Sequence, residues 1–457
     1  MNRLLTLAAS ALALATTPVA AQDFAITNAT LALGDGSEPI EDGTVVVRGG
    51  EIVAAGAGVV VPAGVQAIDA GDAWVTPGLF ATVTTLGLWD VGAVSESNDI
   101  RAGNAPFSAA LDAAPVVNPN SQHIPIHRAA GITRAATTTM PSGSIFAGQG
   151  AIIDLDGDDD PIVRPRAFQM VTLGEYGGRL AGGSRAAAHA LIRNALREAG
   201  SYGDAARIPG ASSQGSDTRT GDDLPIDPRL SGRETDRPGD VLLTRFDAAA
   251  LVPVVRGEQQ LYVAVDRASD ILSALALKAE FPALDMVLVG ASEGWLVADE
   301  IAGSGVPVIA DALNDLPASF EQLAATQSNV GRMINAGVKV AISADSGQNP
   351  RNMPQAAGNL VALSRIPGAS GLSWGQAFAA ISSVPAAISG FENETGILSA
   401  GAAGDVVIWD GDPLEVGTVP TRVFIGGIEQ SLENHQSRLK QRYRDLDESD
   451  LPKAYDR

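Results

Sequence analysis

A chain of 457 residues, 45% of them apolar, is too long for a minimal domain and has ample sequence to bury a large core. Its formal net charge of −22 argues against polyanionic partners such as nucleic acid. With no cysteine, it has no disulfide framework, no thiolate metal ligand and no lipidated cysteine.

At the N-terminus, Met1-Asn2-Arg3 precedes an apolar run over residues 4–15 and the small residues Thr16-Thr17-Pro18-Val19-Ala20-Ala21. A charged start, a short apolar stretch and a small-residue cleavage site predict a secretory signal over residues 1–21 and an exported chain, periplasmic or secreted. The apolar run is shorter than the roughly 20 residues that span a bilayer, so no membrane association is expected after signal removal. Short β-rich runs at 25–31, 43–56 and 66–70 follow, split by Gly/Asp turns. Matching runs at 404–413 and 422–428 lie near the far end, and residues 22–76 with 396–434 are expected to form one composite β domain.

Between them, over 77–395, strand-like runs alternate with helical stretches: 261–265 before 268–279, 286–289 before 295–302, then 306–310 and 338–342. This alternation predicts βα units on a parallel sheet; eight such units close a barrel, and a doubly wound open sheet fits the pattern nearly as well. Residues 201–240 are rich in Gly, Asp, Ser, Arg and Pro with no apolar period, which predicts a flexible surface insertion. The charged tail 435–457 carries an exposed helix over 438–450.

Trp74-Val75-Thr76-Pro77-Gly78-Leu79-Phe80-Ala81-Thr82-Val83-Thr84-Thr85 leads a series of segments in order. Arg128-Ala129-Ala130-Gly131-Ile132-Thr133, Glu293-Gly294-Trp295, Gly337-Val338-Lys339-Val340-Ala341-Ile342-Ser343-Ala344-Asp345-Ser346 and Gly396-Ile397-Leu398-Ser399-Ala400-Gly401 follow. Together they resemble the imidazolonepropionase-like branch of the amidohydrolase superfamily over nearly all of the mature chain. The resemblance implies an α/β fold, a distorted (β/α)8 TIM barrel with a small β-sandwich built from both termini. It also implies hydrolysis of non-peptide C–N bonds in a small molecule, and an assembly of identical copies. In that family a metal at the C-terminal ends of the strands activates water, and an aspartate on the last strand takes its proton.

The resemblance places Val83 and Thr85 where the first strand carries two metal-binding histidines, Ala264 and Asp266 around the fifth-strand histidine, and Gly290 at the sixth-strand histidine. Valine has no donor atom and a neutral threonine hydroxyl is a poor zinc ligand. The first lysine in the chain is Lys278, after the strand that would supply a carboxylated lysine, which excludes a binuclear carbamate-bridged site. Asp345 remains where the family keeps its proton-shuttling aspartate, and a lone carboxylate holds zinc poorly. Expected cofactors are therefore none, or one weakly bound divalent ion. Asp266, Asp345, Glu175 and Glu293 converging at the mouth would make an oxygen-only site suited to Mg, Ca or Mn. Asp266 and Asp345 alone would make a metal-free acid/base pair. Asp266 and Arg267 would otherwise be a strand-end salt bridge or a helix cap.

Other motifs have structural readings. His123 and His127 are four apart, but Pro125 between them is expected to break a helix that would align them; His189 and His435 are expected on the surface. Asp154-Leu155-Asp156-Gly157-Asp158-Asp159-Asp160 lacks the sixth-position glycine and twelfth-position glutamate of a helical calcium loop and predicts an acidic hairpin turn. Ser142-Gly143-Ser144 and Gly148-Gln149-Gly150 are expected to be tight βα turns. Phe80, Trp89 and Trp295 either line a pocket or fill the barrel. Two functions fit these residues: an exported C–N hydrolase with Asp345 as general base and an eroded metal site, or a barrel that has lost catalysis and kept a binding or scaffolding role.

Overall fold

The computed structural model describes residues 21–205, 241–343 and 349–444. β1 (Phe24–Leu31), β2 (Ile40–Arg48), β3 (Glu51–Ala57), β4 (Gln66–Asp69) and β5 (Trp74–Pro77) open the chain. The barrel begins with β6 (Leu79–Thr84), α1 (His123–Arg128), β7 (Ile132–Thr137), β8 (Phe146–Asp154) and β9 (Ile162–Thr172). α2 (Gly174–Leu180), α3 (Arg185–Ala205) and α4 (Arg245–Val255) lead to β10 (Gln260–Val265). Next come α5 (Ala268–Leu275), α6 (Leu277–Glu280), β11 (Met286–Gly290), α7 (Ala298–Ser304) and β12 (Val308–Ala310). α8 (Asn329–Asn335), β13 (Val340–Ile342), α9 (Met353–Leu363), α10 (Trp374–Ala379) and α11 (Ser383–Ile388) complete it. β14 (Val406–Trp409), β15 (Pro420–Ile425), β16 (Ile428–Gln430) and α12 (His435–Arg442) end the described chain.

Both ends of the chain share one sheet in the order β16-β15-β14-β5-β1-β2-β3, with β4 on β1. Alternate apolar residues of its strands, among them Phe24, Ile26, Val45, Val47 and Phe424, form its core, and the Phe24 and Phe424 rings stack at 4.4 Å.

The second sheet runs β13-β12-β11-β10-β9-β8-β7-β6. Its two edges are stitched through one segment: Ile342 N–H donates to Ala380 O (2.9 Å) and Phe80 N–H donates to Ile381 O (3.1 Å), which brings the eight strands nearly to a closed barrel. Phe80, Phe168, Tyr262, Val287, Ile309 and Ala341 fill the interior, while the alternate residues Leu79, Ala81, Val171 and Val263 face the helices. Phe80 is therefore barrel core.

One strand departs from the predicted run of βα units. β8 is antiparallel to both β7 and β9. The β8–β9 connection, residues 155–161, is the acidic turn read from the sequence, and it is too short for the dozen or more residues of a parallel crossover. Gly148-Gln149-Gly150, expected as a βα turn, lies inside β8, where a Cβ on Gly150 would fall within the Phe168 ring. Ser142-Gly143-Ser144 lies in the β7–β8 connection, with no helix after it. α3 continues to Ala205, so the predicted insertion does not begin at 201; residues 206–240 lie outside the described residues, as do residues 1–20 of the predicted signal.

Candidate active site

The C-terminal ends of the parallel strands define the face where barrels of this kind carry their chemistry. At the end of β6, pairing with β7 slips between Ala81 and Thr84, and Val83 takes a φ of +49°. A β-branched side chain in that region is strained, at a cost of about 1–3 kcal/mol. Val83 packs against the interior apolar cluster, and Thr85 is buried with an Oγ1 that has no partner among the described residues. Thr84, between them, donates its hydroxyl to Ala136 O at 3.0 Å.

At the ends of β10 and β11, Ala264 packs on the interior cluster and Asp266 turns toward the β11 strand end. Asp266 Oδ1 accepts from Ser292 N–H (3.1 Å) and Ser292 Oγ–H (2.6 Å), and Oδ2 accepts from Gln322 Nε2 (3.3 Å). Gly290 has a φ of +90°, and a Cβ there would meet Asp266 Oδ1 at 2.7 Å. The Asp266 carboxylate thus occupies the space into which any side chain at 290 would project. Asn314 Nδ2 donates to Ser292 Oγ at 3.0 Å, extending the chain to the loop after β12.

The other predicted carboxylates go elsewhere. Glu175 Oε1 pairs with Arg267 Nη2 at 2.9 Å, and Arg267 also donates to Phe320 O at 3.0 Å. The predicted Asp266–Arg267 salt bridge is accordingly replaced by Glu175–Arg267, and Arg267 makes no side-chain cap on α5. Glu293 accepts from Ala268 N–H (3.0 Å) and Ala324 N–H (3.2 Å). Glu321 accepts from Glu175 N–H at 2.6 Å; burial, followed by the nearby Asp266, Glu175 and Asp270 carboxylates, raises its pKa against that hydrogen bond. Each carboxylate is satisfied by protein donors in its own network, and among the described residues no three His, Cys, Asp or Glu side chains gather to hold a metal. The donor set at these strand ends does not suit zinc. Asp345 lies outside the described residues.

His189 borders this cluster through Asp270, whereas His123 and His127 lie on α1. Contrary to the expected break, α1 carries His123, Pro125 and His127, because Pro125 sits in the first turn, where an N–H has no intrahelical partner. His127 donates Nδ1–H to His123 O (2.7 Å), its Nε2 is buried without a partner among the described residues, and burial lowers its pKa to about 4. The Trp89 ring lies 3.8 Å from that of His123. His189 is not the expected surface residue: its side chain is 17% exposed, with Nε2 3.8 Å from Asp270. His435 is exposed at the start of α12. Trp295 is held by Nε1–H donation to Ala324 O at 2.8 Å, with Arg332 over its ring.

Sequence reasoning missed Ser292, Asn314, Glu321 and Gln322. The last three lie in the 311–328 loop, which has no period to mark them; Ser292 follows Gly290 and Ala291, whose positive φ values turn the chain back over β10.

The barrel, with a sheet made by both chain ends, is a fold shared with solved amidohydrolases. Residues 295–423 match the amidohydrolase family model Amidohydro_3. An amidohydrolase from Thermotoga maritima MSB8 superposes with a TM-score of 0.73 at 21% identity, covering 89% of this chain and 99% of that one. A prolidase complexed with N-methylphosphonate-L-proline superposes with a TM-score of 0.51 at 15% identity, covering 89% and 99%. Molinate hydrolase gives 0.50 at 16%, covering 90% and 95%. At these identities the likeness is one of fold. The amidohydrolase tasK of Hapsidospora irregularis is 40% identical over 60 residues, which is 13% of this chain and only 6% of that protein.

Proposed function

We propose that this chain is an exported amidohydrolase-fold protein whose metal site is eroded and whose barrel mouth binds a small molecule without metal-assisted hydrolysis. The observation that carries this reading is the Asp266 carboxylate lodged over Gly290 and held by Ser292 and Gln322. A carboxylate engaged by three protein donors keeps only about one of its roughly four acceptor sites, and Val83 and Thr85 at the end of β6 add no good metal ligand. Export is supported by the signal-like residues 1–21.

A second reading, C–N bond hydrolysis with Asp345 as general base, is favoured by the family-model match, because the matched stretch contains that position. Elemental analysis of the mature chain, residues 22–457, purified without chelator, decides between them when run beside Asp345→Ala and a screen of cyclic amides. The binding reading expects no stoichiometric metal and no turnover. One Zn, Mn or Fe per chain that disappears in Asp345→Ala, together with amide hydrolysis, would overturn it in favour of the hydrolase.

A further inference from the structure

We propose that the cleft between the ends of β12 and β13 and the start of α9 is a binding site for a small molecule bearing a protonated amine. This rests on the binding reading above and assigns it a place and a ligand class. The cleft is about 410 Å³ and is lined by Asp311, Leu313, Asn314, Ser343, Asn352 and Gln355, with Met353 behind them. Asp311 and Ser343 directly follow β12 and β13, so the cleft opens on the strand-end face.

Its chemistry is biased toward accepting hydrogen bonds. Asp311 Oδ1 is fixed by Leu313 N–H at 3.0 Å, which leaves Oδ2 without a protein donor among the described residues. Asn314 commits its Nδ2 to Ser292 Oγ, whose proton in turn goes to Asp266, so the Asn314 amide is held with its carbonyl oxygen free to accept. Ser343, Asn352 and Gln355 make no side-chain hydrogen bond among the described residues and can accept or donate. Among the described residues no basic side chain lines the cleft. Arg351, next in the chain to Asn352, directs Nη1 to Gln436 Oε1 on α12 at 2.9 Å. An ammonium group offers three donors and no acceptor, the complement of this lining, whereas a ligand carboxylate would meet Asp311 with no cation to offset the repulsion. Leu313 and Met353 supply apolar contact for the rest of such a molecule.

Calorimetric titration of the mature chain with three length-matched probes tests the assignment: 6-aminohexanamide, adipic acid monoamide and 6-hydroxyhexanamide. The amine is expected to bind about tenfold or more tightly than either of the others. Asp311→Asn keeps an oxygen for the Leu313 N–H, so the turn survives while affinity for the amine falls about tenfold. Gln355→Lys, at an exposed position, is expected to weaken the amine and strengthen the carboxylate probe. Equal affinities for the three probes, an unchanged amine affinity in both variants, or no binding of any probe would overturn the proposal. Failure of the underlying binding reading is distinct, because it shows as stoichiometric metal and amide turnover.

Discussion

Gly290 illustrates how one residue constrains the mouth. Its φ of +90° and the Asp266 oxygen 2.7 Å from an added Cβ both oppose a side chain there. Gly290→His is therefore expected to lose about 2–4 kcal/mol in urea unfolding rather than create a ligand, and Asp266→Ala in the same chain to recover only the steric part. Two titratable residues, the buried His127 and the part-buried Asp154, give opposite pH dependences. Burial lowers the pKa of His127 to about 4, so the unfolded chain takes up the proton first; this group's contribution is full above about pH 6.5 and is lost as pH falls toward 4. Asp154 is raised to about 7 by burial and then by Asp156, against Arg134; the folded carboxyl keeps its proton, so its contribution is full below about pH 4 and is lost as pH rises to 7. Between pH 4 and 6.5 the two offset each other. Relative to the unaltered chain, His127→Gln is expected to tilt stability downward with rising pH, and Asp154→Asn to tilt it upward. Urea midpoints across that range check the signs; parallel curves for all three proteins would refute the assignment.

Among elements, β8 shows how a strand's direction is set by its connection. Its length and apolar pattern resemble those of its neighbours, but the 155–161 turn forces an antiparallel return. The reversal places Gly150 opposite Phe168, which stacks on Tyr262 at 4.2 Å, and the interior is filled by the ring rather than by a side chain at 150. Gly150→Ala is expected to cost about 1–3 kcal/mol by overpacking, and much of that cost should vanish when Phe168→Leu is added. Additive effects in that double-mutant cycle would show that the two positions do not share the space. The reversal was legible in principle, since the Asp/Gly turn was recognised and its shortness forbids a crossover. The 311–328 loop was not legible, because Asn314, Glu321 and Gln322 carry no periodic signal and gain their roles only by reaching other strand ends.

At the scale of the whole molecule, Arg134 makes one of the contacts that join the sheet made by the chain ends to the barrel. Its guanidinium pairs with Asp405 at 2.8 Å and lies 3.8 Å from Asp154, while Asp405 also accepts from Gly426 N–H and Thr395 Oγ1. Asp405 is 1% exposed, and its charge, followed by its hydrogen bond, raises the Arg134 pKa against burial. Arg134→Met leaves that carboxylate buried without its cation and is expected to cost about 3 kcal/mol. Arg422→Met, which removes a more exposed pair with Glu429, is expected to cost about 1 kcal/mol or less. Equal shifts in urea midpoint for the two variants would show that the buried Arg134–Asp405 pair contributes no more than an exposed one.

The alternation of strands and helices left a closed barrel and a doubly wound open sheet both open, and the family resemblance pointed to the barrel; the sequence by itself determined the strands, through alternating apolar runs, and the side chains that β6, β10 and β11 present at their ends. These are local properties, carried by residue identity and period. Only the tertiary structure decided what those side chains do. Asp266 could have faced Glu175 and Glu293 across one cavity, but it lies over Gly290 because Ser292 and Gln322, 26 and 56 residues away, supply its hydrogen bonds. A part-buried carboxylate takes whichever donors the fold brings to it, and that choice depends on long-range geometry rather than on spacing along the chain.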